Sequence, residues 1–184
     1  MNRKLTAWCG CALWIFWLAA LALIPVHAQD LAVPGYPAAR AVPGAKELPD
    51  PAQTYKVVFD IAKAAPSPSQ VNPGLVGVTR FVNTLSAYGV PASHRKIAIV
   101  IHQGAAPMVL DDQAYAAEFN GAHNPNIALI QALSKAGVAF HVCGQGVMAR
   151  RIDPKTIQPQ IQLDLWALTT MVDLETQGYV HFSE

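Results

Sequence analysis

Charged residues are scarce in this sequence, and the few present do not cluster. Only 14% of the 184 residues are charged, with 13 Lys and Arg against 12 Asp and Glu. A protein that binds nucleic acid or an anionic membrane surface needs a concentrated basic patch, because phosphate groups dominate both surfaces. The sequence therefore predicts no nucleic-acid partner and no membrane binding by the folded domain.

Several familiar arrangements of reactive residues are also absent. The six histidines and three cysteines never fall at the H-x-x-x-H or C-x-x-C spacing typical of metal sites. No serine stands in a G-x-S-x-G turn, so a hydrolase of that type is not indicated. We predict no bound metal and no cofactor.

The first 28 residues predict a secretory signal. Asn2-Arg3-Lys4 is a basic start, residues 5–24 form an uncharged apolar run, and Val26-His27-Ala28 offers small residues at the cleavage positions. A retained anchor is the alternative, since about 20 apolar residues can span a bilayer. We expect cleavage after residue 28 and a periplasmic or secreted protein.

Cleavage would leave Cys143 as the sole thiol, because Cys9 and Cys11 lie in the signal. A single cysteine cannot form an intramolecular disulfide, so in an oxidising compartment it stays free, mixed, or paired between chains. The formal net charge would fall from +1 to about −1 with the loss of Arg3 and Lys4.

Residues 29–53 contain five prolines, a density that prevents both helices and central strands. We interpret this segment as an extended, poorly ordered linker, followed by one domain over residues 54–184. Within that domain, apolar runs predict strands at 55–61, 96–101, 138–142, 160–163 and 179–182.

Helical patterns separate these strands. Asn72-Pro73 and Asn124-Pro125 each resemble a helix start, with Asn as cap and Pro in the first turn. A short helix follows Asp111 and Asp112. A last helix is predicted at 165–177 from the spacing of Leu165, Leu168, Met171 or Val172, and Glu175. Alternating strands and helices predict a three-layer α/β/α domain with a mainly parallel sheet of about five strands.

Ligands collect at the carboxyl ends of parallel strands, and two reactive side chains fall there. His102 follows the second strand, and Cys143 ends the third. Gly144 and Gly146 permit a tight turn, whose N–H groups would stabilise a thiolate. Alternatively, Cys143 is an ordinary buried thiol and His102 a structural histidine, because free cysteine is among the most buried residue types.

Residues 144–149 also fit the G-x-G-x-x-A dinucleotide pattern. That pattern belongs after the first strand of a nucleotide-binding fold, whereas here it follows the third, with too little chain left to complete such a domain. We therefore do not expect a dinucleotide cofactor.

The order of short motifs resembles the DsrE/DsrF-like sulfur-relay family. The resemblance covers about 55–182 and rests on residues 99–104 (IVIHQG), Asn124-Pro125, residues 142–145 (VCGQ) and Arg150-Arg151. It implies a homo- or hetero-oligomer and a persulfide on Cys143. We predict a homo-oligomer, with a thiol-bearing protein as sulfur donor or acceptor. His102 would orient the substrate or exchange a proton.

The same resemblance implies a set of substrate-binding residues, namely Gly144, Gln145, Gly146 and Asn124. Many relatives of this fold have no established activity, so fold alone does not establish sulfur transfer. The competing hypothesis is a non-catalytic oligomeric or small-ligand-binding module in which Cys143 is inert.

Overall fold

The structure is a computed structural model that describes residues 31–183. The signal predicted for residues 1–28, with Cys9 and Cys11, lies outside the described residues. Over 31–183, no helix is both long enough and apolar enough to cross a membrane.

A parallel five-stranded sheet forms the centre of the domain, in the order β4-β3-β2-β1-β5. Apolar residues fill the central strands because both of their faces are covered. This confirms the three-layer α/β/α prediction. The strands are β1 (Tyr55–Ile61), β2 (Arg95–Ile101), β3 (Ala139–Cys143), β4 (Ile161–Asp164) and β5 (Val180–Ser183).

Five helices connect the strands: α1 (Pro73–Ala87), α2 (Asp112–Glu118), α3 (Ile127–Lys135), α4 (Gly144–Ala149) and α5 (Ala167–Thr176). The predicted cap of α1 is confirmed, because the Asn72 side chain accepts a hydrogen bond from the Gly74 N–H at 2.9 Å. Asp111 caps α2 in the same way, accepting from the Ala114 N–H at 2.8 Å.

The predicted cap of α3 is wrong. The helix begins at Ile127, and Asn124 lies before it in a loop. The buried Asn124 amide instead donates to the carbonyls of Met108 and Leu110, at 3.0 and 2.7 Å. Its side-chain oxygen accepts from the Asn126 N–H at 3.0 Å, so Asn124 orders the turn before the helix, and the helix begins two residues later than a cap at Asn124 would place it.

The two faces of the sheet are covered differently. Residues of α1 and α3 pack with alternate strand residues into a large apolar core. On the other face α5 packs across β1, β2 and β3, and the buried cluster there is small. Cys143 belongs to this second cluster.

The last helix buries only one residue of the predicted apolar set, Met171. Ala167 and Met171 point toward the sheet, while Leu165, Leu168 and Val172 are 75%, 50% and 57% exposed. Leu165 precedes the helix, because Trp166 is its N-cap and has an extended backbone. The start and rotation of the helix therefore leave the large apolar residues outside.

The proline-rich segment contains neither helix nor strand over its described part, 31–53. It nevertheless packs on the domain near its start, where Val33 is fully buried in the large core. The Asn83 side chain on α1 accepts from the Val33 N–H at 2.8 Å and donates to the Val33 and Tyr36 carbonyls. The start of the segment thus packs on the domain, which the proline content alone did not predict.

Candidate functional site

His102 and Cys143 lie side by side at the carboxyl edge of the sheet. Ile101 on β2 pairs with Val142 on β3, so the next residues of the two strands are level with each other. Neighbouring strands are about 4.8 Å apart, which brings the two side chains within reach of the same ligand. Both line a cleft of about 520 Å³ between the strand ends and α5.

Most of the sequence-predicted site residues meet at this cleft. Gln145 and Gly146 line it together with His102 and Cys143, and Arg150 and Trp166 stand on its walls. Asn124 does not line this cleft, because its side chain is committed to the loop before α3. The cleft walls are largely apolar, apart from His102, Gln103, Gln145 and Arg150.

The Cys143 thiol is almost enclosed, with only 5% of the residue exposed. Its Sγ accepts a hydrogen bond from the Ala167 N–H, the first residue of α5, at 3.3 Å. The sequence predicts that backbone N–H groups of residues 144–146 donate to this sulfur, but no N–H of α4 caps the Cys143 side chain. The N–H group comes from the other helix because α5, not α4, lies over the sulfur.

Gly144 has a packing role rather than a conformational one. A Cβ at this position would lie 2.6 Å from the Asp164 carbonyl oxygen, closer than real contacts allow. The absent side chain lets the connection between β4 and α5 approach the start of α4. That approach is compatible with the position of Ala167 over Cys143.

Two hydrogen bonds tie the walls of the cleft together. The Gln145 amide donates to the Leu165 carbonyl at 3.3 Å, and the Arg150 Nε donates to the Gln103 carbonyl at 3.1 Å. Gln103 has a φ of 47°, an unusual conformation for a residue other than glycine. Arg150 stands at the cleft, whereas Arg151, also at positive φ, is exposed and does not line it.

Behind His102 lies a chain of acidic and imidazole groups. His102 Nε2 hydrogen-bonds Asp60 Oδ1, and the other oxygen of Asp60 is 3.7 Å from His181 Nε2. His181 Nδ1 in turn lies 3.0 Å from Glu175 Oε1 on α5. The chain leads from the cleft, where the His102 side chain is 14% exposed, to Glu175, which is 47% exposed.

A second histidine–aspartate pair lies farther along the same face. His141 Nδ1 is 2.8 Å from Asp164 Oδ2, which also accepts from the Thr170 hydroxyl at 2.8 Å. Burial acts to raise the pKa of Asp164, but hydrogen bonds from Gln162, Thr170 and His141 outweigh it and lower that pKa. This pair does not line the Cys143 cleft.

Comparison with known proteins agrees with this architecture. Residues 55–183 match the model of the DsrE/DsrF-like family. The chain belongs to that family. No curated protein sequence matches the chain.

Among solved structures, this DsrE/DsrF-like chain is similar to a protein of unknown function, MTH1491 from Methanobacterium thermoautotrophicum. The TM-score is 0.52 and the identity 18%, over 71% of this chain and 99% of the other. At this identity the similarity establishes the fold alone.

The described part of this DsrE/DsrF-like chain contains no group of three or more His, Cys, Asp and Glu that could hold a metal ion. The sequence placed Cys143 and His102 at this edge of the sheet, but it gave no site role to Asp60, His181 and Glu175. A signal for Asp60 was present, since it is the only charged residue among the apolar residues 57–61.

Proposed function

We propose that the protein is an exported sulfur carrier that accepts sulfane sulfur on Cys143, holds it as a persulfide and passes it to the thiol of a partner protein. The observation that carries the proposal is that Cys143 and His102 line the same cleft of a DsrE/DsrF-like fold. Nucleophilic cysteines are commonly activated by an adjacent base such as histidine.

The surroundings of the sulfur suit an anion. A thiolate or persulfide on Cys143 is stabilised by the Ala167 N–H, which is at the positive end of α5. His102 exchanges the proton, and Arg150 supplies a positive charge at the cleft wall. Apolar neighbours such as Met171 limit access of water to the bound sulfur.

The proposed location rests on the predicted signal, and the proposed partner rests on exposed apolar residues. Signal cleavage after residue 28 would place the domain in the periplasm or outside the cell. The exposed apolar residues of the α5 region, Leu165, Leu168 and Val172, support a homo-oligomer or a docked acceptor protein, because exposed apolar patches commonly mark interaction surfaces.

Mass spectrometry on the full chain tests the carrier function. After treatment with inorganic polysulfide, the peptide containing Cys143 should gain about 32 Da, one sulfur atom, and lose it again when a small thiol is added. Reading the Cys143 peptide itself separates this thiol from Cys9 and Cys11. The matched control is Cys143→Ser, which should show no gain at that peptide.

A competing function is a small-ligand-binding module with an inert cysteine. The specific observation in its favour is the 5% exposure of Cys143, which is typical of structural thiols. The two functions differ in outcome, because an inert thiol leaves the Cys143 peptide unmodified under conditions that persulfidate free cysteine. That result would reject the carrier function.

A further inference from the structure

The group behind His102 suggests how the thiol is activated. Asp60 lies on β1, next to β2, and its carboxylate is only 15% exposed. Both carboxylate oxygens face a histidine, Oδ1 that of His102 and Oδ2 that of His181. An ionised carboxylate is rarely buried this far unless hydrogen bonds or opposite charges compensate the cost of removing it from water.

The hydrogen bond to Asp60 selects the tautomer of His102. A carboxylate oxygen can only accept, so Nε2 of His102 must carry the hydrogen. In the neutral ring, Nδ1 then holds the lone pair and is the basic nitrogen. We infer that Asp60 is a positioning residue, which fixes His102 as the proton acceptor for Cys143 and stabilises the imidazolium that forms.

The inference rests on the proposed sulfur transfer, and the step balances without a further reactant. The Cys143 thiol gives its proton to His102 Nδ1, and the thiolate attacks the outer sulfur of a donor persulfide R–S–SH. The donor S–S bond breaks, and the leaving R–S⁻ takes the proton from the imidazolium. The products are the Cys143 persulfide and R–SH, with no net oxidation.

His181 and Glu175 extend the arrangement toward solvent. His181 lies between the free oxygen of Asp60 and Glu175, and its side chain is 33% exposed. At 3.7 Å, Oδ2 of Asp60 is beyond hydrogen-bond distance of His181, so the hydrogen bond to His102 is the closer contact of this carboxylate. The titratable or charged groups around the Asp60–His102 pair are thus His181 and Glu175 on one side and Cys143 and Arg150 on the other.

Two rates measured on the full chain test the role of Asp60. The first is alkylation of Cys143 by iodoacetamide over a range of pH, and the second is persulfide formation from polysulfide, both read at the Cys143 peptide. General acid–base help is worth about 10²–10⁴-fold, so Asp60→Asn should slow both reactions at neutral pH by about tenfold or more. Asp60→Glu should restore part of the rate.

The pH profile and a double variant separate positioning from a structural effect. The alkylation deficit of Asp60→Asn should disappear at high pH, where the thiol ionises without a base. In a His102→Asn background, Asp60→Asn should cause no further loss, because residues that act as a unit are not additive. Asp164→Asn is the matched control, since it alters the other buried His–Asp pair of this face, and it should leave both rates within about twofold.

The outcomes distinguish this inference from the proposed function. Equal rates for Asp60→Asn and Asp164→Asn, or additive losses in the double variant, would overturn the role of Asp60 while leaving the carrier function intact. If alkylation depends on Asp60 and His102 but no persulfide forms, thiol activation stands and the carrier function fails.

Discussion

The two faces of the sheet are built from the same five strands but have different chemistry. The face under α1 and α3 buries aliphatic and aromatic side chains almost without interruption. On the face under α5, the polar or reactive groups Asp60, His102 and Cys143 lie at or next to the carboxyl ends of β1, β2 and β3.

Alternation along each strand produces this division. On β3, Phe140 and Val142 point into the large core, while His141 and Cys143 point toward α5. The period of two in a strand therefore separates residues that stabilise the fold from residues available for chemistry. Because the two sets are independent, the reactive face can tolerate substitutions that the core face cannot.

The largest expected difference in stability is between two leucine variants, one on each face of the sheet. Leu133 on α3 is fully buried, whereas Leu168 on α5 is half exposed. Leu133→Ala removes buried methyl groups and leaves a cavity, so it should lower the free energy of unfolding by about 2–5 kcal/mol. Leu168→Ala should cost less than about 1 kcal/mol, as surface substitutions usually do.

Urea or guanidinium unfolding followed by circular dichroism measures both variants. A Leu168→Ala loss as large as that of Leu133→Ala in dilute protein would mean that α5 is buried in solution, as it would be in an oligomer. Repeating the measurement at several protein concentrations separates the two cases, because only an oligomer shows a concentration-dependent stability.

The glycines of α4 give the second contrast. Gly144→Ala puts a Cβ 2.6 Å from a backbone oxygen, which cannot move as a side chain could, and should destabilise the fold by about 1–3 kcal/mol. Gly146→Ala meets nothing closer than the Gln103 nitrogen at 3.8 Å. It should leave stability nearly unchanged, yet slow alkylation of Cys143 by narrowing the cleft.

The same unfolding assay, with the iodoacetamide rate as second readout, checks this pair. Equal stability of the two variants would show that the β4–α5 connection is not held against α4. A Gly146→Ala protein that is stable and alkylated at the normal rate would show that the thiol is reached by another route.

The strands and helix starts were predictable where neighbouring residues in the sequence determine them. The apolar run before His102 and the third strand ending at Cys143 gave the sheet edge correctly, since strands buried on both faces are continuous in sequence. Asn72-Pro73 marked a true helix start. At Asn124-Pro125 the same pattern marked only the turn before a helix, because the Asn124 side chain accepts from the Asn126 N–H but the helix begins at Ile127.

What the sequence could not give were contacts between distant strands. Asp60 and His102 are 42 residues apart, and only the pairing of β1 with β2 brings them together. The rotation of α5 likewise depends on packing, since the spacing of the apolar residues did not show that Ala167 and Met171 face the sheet while Leu168 is half exposed. Tertiary context overrides a weak periodic signal when a helix is short.

The smallest expected difference in stability is between two histidine–aspartate pairs, one partly buried and one exposed. His141–Asp164 lies under α5 with both side chains 15% exposed, whereas His123 and Asp112 are 89% and 48% exposed. Asp164→Asn removes the charged acceptor of several hydrogen bonds and should cost on the order of 1 kcal/mol at neutral pH. His123→Gln should cost less, because solvent screens an exposed pair.

The dependence on pH has opposite signs for the two groups Asp164 and His123. The pKa of Asp164 is lowered in the fold, so its contribution is present above about pH 4, the unfolded value, and is lost as the pH falls through the folded value. The hydrogen bond to Asp112 raises the pKa of His123, so that contribution is present below about pH 6.5 and is lost as the pH rises through the folded value.

Unfolding curves of wild type, Asp164→Asn and His123→Gln at about pH 3, 5 and 9 distinguish the two signs. The deficit of Asp164→Asn should persist from about pH 5 to 9 and shrink toward pH 3, while that of His123→Gln should be seen at about pH 5 and fade by about pH 9. A deficit of Asp164→Asn that is unchanged at the acid end would mean that its side chain acts by shape alone. The hydrogen bonds under α5 would then contribute packing rather than charge, and the polar character of that face would have no share in its stability.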